Sequence, residues 1–110
     1  MFLIVTRSFP PELGGMQSLM WGLSKELSKN FLIKVFADYI ENHKSFDDQA
    51  SFSIERVGGP KFLRKYRKAH LIDEFVKESK VNAIIVDHWK SLEHLKTNKN
   101  KICLIHGKEI

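Results

Sequence analysis

Apolar positions in this chain come as short unbroken runs separated by stretches with helical spacing. Phe2-Leu3-Ile4-Val5 is such a run, and it predicts a strand over 2–6 buried on both faces. From Met16 to about Lys29 the residues Met16, Leu19, Met20, Leu23 and Leu27 fall on one helical stripe. Asn30 follows, where a left-handed residue ends many helices. Leu32–Phe36 is the next strand, with Asp38 just past it, and 39–51 is polar and aperiodic, a loop or irregular excursion. Ser53–Val57 reads as a short strand stopped by Gly58-Gly59-Pro60. A second helix is expected over Lys61–Lys80, with Phe62, Tyr66, Ala69, Ile72 and Val76 on its inner stripe. Ala83–Val86 is a fourth strand, His88–Lys96 a short helix and Ile102–Ile105 a fifth strand.

Strands alternating with helices imply an α/β fold. The right-handed crossover rule makes it a Rossmann-like three-layer sandwich with a mainly parallel five-stranded sheet, spanning 1–110 as a single domain. In such sheets ligands bind outside the carboxyl ends of the strands. Three polar clusters fall there: the loop Phe9-Pro10-Pro11-Glu12-Leu13-Gly14-Gly15, the pair Asp87-His88, and His106-Gly107-Lys108-Glu109.

Composition narrows the class. With 110 residues and 43% apolar content the chain can bury a real core. Its apolar runs of four or five residues are far short of a membrane span, and the N-terminus lacks the pattern of a signal peptide. A protein that starts folding at Met1 in the cytoplasm is expected. The one cysteine, Cys103, lies in the fifth strand and reads as a small core residue; alone it forms no internal disulfide and no multi-cysteine zinc site. His43, His70 and His94 share no ligand-like spacing, so no metal is expected.

A net charge of +5 turns attention to anionic partners. Lys61, Arg64, Lys65, Arg67 and Lys68 lie together with no acid among them. They make either the solvated face of a helix or a contact with anionic lipid headgroups at the inner face of a membrane. Without a reading motif or an exposed aromatic platform, nucleic acid is not expected as a partner.

The loop after the first strand is open to several readings. Pro-Pro and Gly-Gly can form a tight strand-to-helix connection. Uncapped N–H groups at a helix start, reached over glycine, can also hold a phosphate. A dinucleotide site would need Gly-x-Gly-x-x-Gly directly after the strand, with Asp38 as the ribose acid. Here the glycines come late, as Gly14-Gly15, with the next at Gly22, which disfavours an NAD-linked oxidoreductase. A phosphate-loop NTPase is disfavoured further, because no Gly-Lys-Ser or Gly-Lys-Thr occurs.

Four segments in order carry a family resemblance. They are Phe9-Pro10-Pro11-Glu12-x-Gly14-Gly15 with Met16-Gln17-Ser18; Leu23-Ser24-Lys25-Glu26-Leu27 with Ile33-Lys34-Val35-Phe36; Asn82-Ala83-Ile84-Ile85-Val86-Asp87-His88-Trp89; and Ile102-Cys103-Leu104-Ile105-His106-Gly107-Lys108-Glu109. Together they resemble the opening of family 4 glycosyltransferases of the GT-B fold. The family commonly has Gly-His before its second strand, where this chain has Asn30-Phe31. Its members have two Rossmann-like domains around the active site, and the resemblance covers part of the first, acceptor-side one. The nucleotide-sugar-binding C-terminal domain, with its acidic motif, is expected to lie outside this chain.

The resemblance implies transfer of a sugar, with retention of configuration, from a nucleotide-sugar donor to a saccharide or lipid-linked acceptor, without metal or other cofactor. It implies that Gly14 and Gly15 lie under the donor diphosphate and near the acceptor, with Glu12 and Gln17 beside them, and that His106 is catalytic, bonding the donor sugar. His88, Lys108 and Glu109 would face the cleft. On residues alone, His106 and His88 can equally be structural, Asp87 a helix cap and Glu12 an exposed loop carboxylate. Because the basic groups that stabilise the leaving phosphate belong to the second domain, catalysis by this chain alone is not expected. A different class, a non-catalytic phosphate- or nucleotide-binding module, stays open.

Overall fold

The computed structural model of the protein describes residues 1–88, 90 and 93–104. Along the chain come β1 (Phe2–Val5), α1 (Gly15–Ser28), β2 (Ile33–Asp38), α2 (His43–Asp47), β3 (Ser53–Val57), α3 (Lys61–Glu78), β4 (Ala83–Val86) and β5 (Asn100–Cys103). The five strands form one sheet in the order β3-β2-β1-β4-β5, and every neighbouring pair is parallel. That order, with helices on the faces, is a Rossmann-like α/β fold.

The unbroken apolar character of β1 follows from its place in the middle. Ile4 is opposite Val35 of β2 and Ile85 of β4, and alternate side chains of the strand go to opposite faces. Leu3 and Val5 join Phe36, Ile84 and Val86 against Ile72 and Val76 of α3. Ile4 joins Ile33, Val35 and Ala37 against Met20 of α1, with Met16, Leu23 and Leu27 packed behind. Two cores on either side of one sheet make the three layers. Each fully buried large side chain in them contributes roughly 1.5–3 kcal/mol.

Several local expectations need correction. The stretch 39–51 contains the five-residue helix α2, which turns Phe46 onto Trp21 (ring centroids 4.7 Å apart) and Phe9 (6.4 Å). Asn30 is not left-handed. Instead α1 ends by tightening, with the N–H groups of Lys29, Asn30 and Phe31 bonding to Glu26 and Leu27 carbonyls. The stripe of α3 is rotated at its N-terminal end. Phe62 is 71% and Tyr66 50% exposed, while Lys68 is buried beside Ala69.

In the segment 88–96, Glu93 and His94 lie in a turn and Leu95 and Lys96 in irregular chain; Trp89, Ser91 and Leu92 lie outside the described residues. The fifth strand runs two residues earlier than expected. It is an edge strand, so Ile102 is exposed and Cys103 only half-buried, packed against the α3-side core. No described helix is long and apolar enough to cross a membrane.

Candidate functional site

The strand order reverses at β1: the chain leaves β1 toward β2 on one side and returns through α3 to β4 on the other. The carboxyl ends of β1 and β4 therefore flank the crevice where ligands bind in this class of sheet. A cavity of about 480 Å³ opens there, lined among others by Arg7, Glu12, Met16, Asp38, Arg56 and His88.

Below it lies a buried polar network. Thr6, next after β1, donates from Oγ1 to Asp87 Oδ2 at 2.7 Å, and both residues are almost wholly buried. The Ser8 N–H returns to Thr6 Oγ1 at 3.1 Å, which turns the chain toward the loop. Lys68 reaches in from α3, donating to the Thr6 carbonyl at 3.2 Å and forming a close ion pair with Asp38 Oδ1 at the end of β2. Arg64 Nη1 is 3.5 Å from Asp38 Oδ2. Burial pushes the Lys68 ammonium below its ordinary pKa, Asp38 and Asp87 pull it back up, and Arg7 adds to the lowering. One lysine and two carboxylates thus join β2, β1, β4 and α3 at the sheet's carboxyl edge.

The loop 7–14 is held from a different direction. Arg56 of β3, its side chain only 4% exposed, bonds both Asp47 oxygens, the Pro10 carbonyl and the Asp38 carbonyl. Its guanidinium also lies over the Phe9 ring, 5.6 Å from the centroid. The Pro10-Pro11 peptide is cis. At the loop's far end Gly14 caps α1 through its backbone. No side chain caps that helix, and no acid occupies its first turn. A Cβ on Gly14 would collide with the Gln17 side chain, whereas one on Gly15 would meet nothing within 4 Å. Gln17 in turn donates from Nε2 to Glu12 on the exposed rim.

The residues singled out in the sequence therefore fall as follows. Glu12 lines the cavity, and Gln17 binds Glu12; Gly14 and Gly15 form the helix start beside them. His88 lines the opposite wall, its Nδ1 accepting the Lys90 N–H at 3.2 Å. Lys61 and Arg64 also line the cavity. Arg64 and Arg67 fold back onto the Gly59 and Gly58 carbonyls. Lys68 does not belong to a solvated helix face: its ammonium is spent inside the fold. His106, Lys108 and Glu109 lie outside the described residues.

Thr6, Arg7 and Arg56 carried no motif, and only the three-dimensional pairing reveals them. Their signal in the sequence was faint: a threonine closing an apolar strand, and an arginine inside one. Among the described residues no group of three or more histidine, cysteine or acidic side chains is placed to hold a metal. Comparison with protein-family models and with curated proteins finds no significant match to the chain.

Proposed function

We propose that the chain is the acceptor-side Rossmann-like part of a retaining GT-B glycosyltransferase, acting opposite a second domain that binds the nucleotide-sugar. The observation that carries this reading is one cleft with two dissimilar walls. One wall is the loop ending in Gly14-Gly15 and an uncapped helix start; the other is the end of β4 with Asp87 and His88. The open space over Gly15 lets an anionic group approach the first-turn N–H groups of α1. Glu12 on the rim, held by Gln17, is available to accept a hydrogen bond from a sugar hydroxyl.

In this reading the chain's own part is binding and orientation. Thr6 and Lys68 fix Asp87 and the end of β1, so His88 and the loop present themselves at a set separation. His106 supplies the contact to the donor sugar. The first two turns of α3, with Lys61, Lys65 and Arg67 exposed beside Phe62, Leu63 and Tyr66, support docking of the enzyme on an anionic bilayer surface.

Titration of the isotope-labelled chain with nucleotide-sugars and, separately, with NADH tests the reading by NMR. Amide shifts at Gly14, Gly15 and Met16, together with His88 ring shifts, are expected with nucleotide-sugar. Shifts there with NADH alone would replace glycosyl transfer by an oxidoreductase reading.

A further inference from the structure

A second cavity, about 250 Å³, lies between α3 and the segment that follows β4. Among the described residues six cationic side chains line it: Arg7, Lys61, Arg64, Lys65, Lys68 and Lys90. Two carboxylates among the described residues face them, Asp38 and Glu93. Asp38 is engaged by Lys68 and Arg64. Arg7, Lys61 and Lys65 have no carboxylate partner among the described residues; Lys65 lies only over the Tyr66 ring, at 5.5 Å.

The floor is apolar, with Ala69 and Ile72 both buried. His94 adds a ring tilted over Tyr66 at 4.1 Å, and its buried Nε2 makes no hydrogen bond, the nearest carboxylate oxygen being Glu93 Oε2 at 3.9 Å. The first turn of α3, which has no side-chain cap and no acid, adds the positive end of its dipole beside Lys61 and Arg64.

Like charges gathered around one apolar floor favour an anion between them, and Arg7 acts against the Lys68 proton as a minor contribution behind burial. A single carboxylate would match only one of the three unpaired cations. A group with two or more negative charges and several acceptor oxygens matches their number and spread. We propose that this cavity is a phosphoryl-binding site that takes a phosphomonoester or diphosphate group carried by the substrate.

Arg7, Asp38, Lys61 and Arg64 line both cavities, so the phosphoryl site opens directly into the cleft. This places the phosphate on the acceptor. That identification rests on the glycosyl-transfer reading, whereas the anion site stands on its own side chains.

The test is an NMR titration of the chain with pyrophosphate and with methyl phosphate at low ionic strength. Saturable shifts are expected at Lys65, Ala69, Ile72 and His94. Arg7→Gln and Lys65→Gln should each weaken binding about tenfold, as loss of one charge-assisted hydrogen bond does. Lys77→Gln, which removes the same charge from the far end of α3, should leave it unchanged. Shifts reproduced by sodium chloride at equal ionic strength, or an equal loss from Lys77→Gln, would overturn the site.

Soluble glycerophosphate and vesicles of phosphatidylcholine with phosphatidic acid separate a free phosphate from a lipid headgroup. Glycerophosphate that fills the cavity and displaces vesicles supports the site, as does vesicle binding that Arg7→Gln abolishes. Vesicle binding untouched by Arg7→Gln, with no response to glycerophosphate, overturns it. Pyrophosphate binding here without nucleotide-sugar shifts at Gly14 and Gly15 would retain the site while removing the glycosyl-transfer reading.

Discussion

Replacing Lys68 by methionine probes the network that joins four elements at the carboxyl edge. Methionine keeps the aliphatic stem but leaves Asp38 without its close cation and the Thr6 carbonyl without a donor. Removing one partner of a buried ion pair costs about 3–5 kcal/mol. Asp38 keeps Arg64 at 3.5 Å and a side chain 19% exposed, so the expected loss falls to about 2–3 kcal/mol. Urea unfolding followed by far-ultraviolet circular dichroism reads this as a midpoint lowered by about 1–2 M. The double variant Lys68→Met, Asp38→Asn should recover at least half of the loss, because no unpaired carboxylate remains.

The pH dependence adds a sign. Since burial lowers the Lys68 pKa from 10.5, the unfolded chain binds more protons than the folded one between the lowered value and 10.5. This group therefore makes the folded state relatively more stable as pH rises through that window. The neutral amine still donates to Thr6 and Asp38, which methionine cannot do. The stability gap between the natural chain and Lys68→Met should widen with rising pH there. A loss below about 0.5 kcal/mol, the range of ordinary surface substitutions, or a gap that narrows, would show that the Lys68 amine does not hold these elements together.

Thr6→Val should cost about 1–3 kcal/mol by removing the Thr6 hydroxyl donor from the buried Asp87 carboxylate, and should move the His88 ring resonances. Arg56→Met, which removes the donor to Asp47 and to two carbonyls, should lower stability by about 3 kcal/mol or more and speed proteolysis within 39–52. Gly15→Ala should raise stability by about 0.5–1 kcal/mol, since the site is open and helical, yet weaken nucleotide-sugar binding in the titration above. Vesicles with anionic lipid should retain the chain in low salt and release it in high salt. Phe62→Ser should weaken that retention; binding indifferent to salt and to Phe62 would assign α3 to the ordinary solvated surface.

What the sequence made legible was whatever repeats along an element. The continuous apolar character of β1 and β4 identified central parallel strands, and the late position of Gly14-Gly15 separated the loop from a dinucleotide fingerprint. The rotation of α3 was hidden because Phe62 and Tyr66 keep helical spacing with Ala69, yet Phe62 faces solvent and Tyr66 meets His94 of the segment after β4. Lys68 read as one more surface cation, because only the fold brings Asp38, thirty positions earlier, to its ammonium. The helix α2 escaped notice for a related reason: in five residues only Phe46 needs to face inward, and one apolar position defines no period.

β1 has hydrogen-bonded neighbours on both edges and helices over both faces, and Thr6 follows it immediately. Its amides can exchange with solvent hydrogen only when the whole domain opens, whereas the loop a few residues later can open locally. In a hydrogen-exchange experiment the slowest and the most ligand-responsive amides would therefore be near neighbours in the chain. The four strand amides become an internal clock against which protection of the loop by any bound sugar or phosphate can be timed.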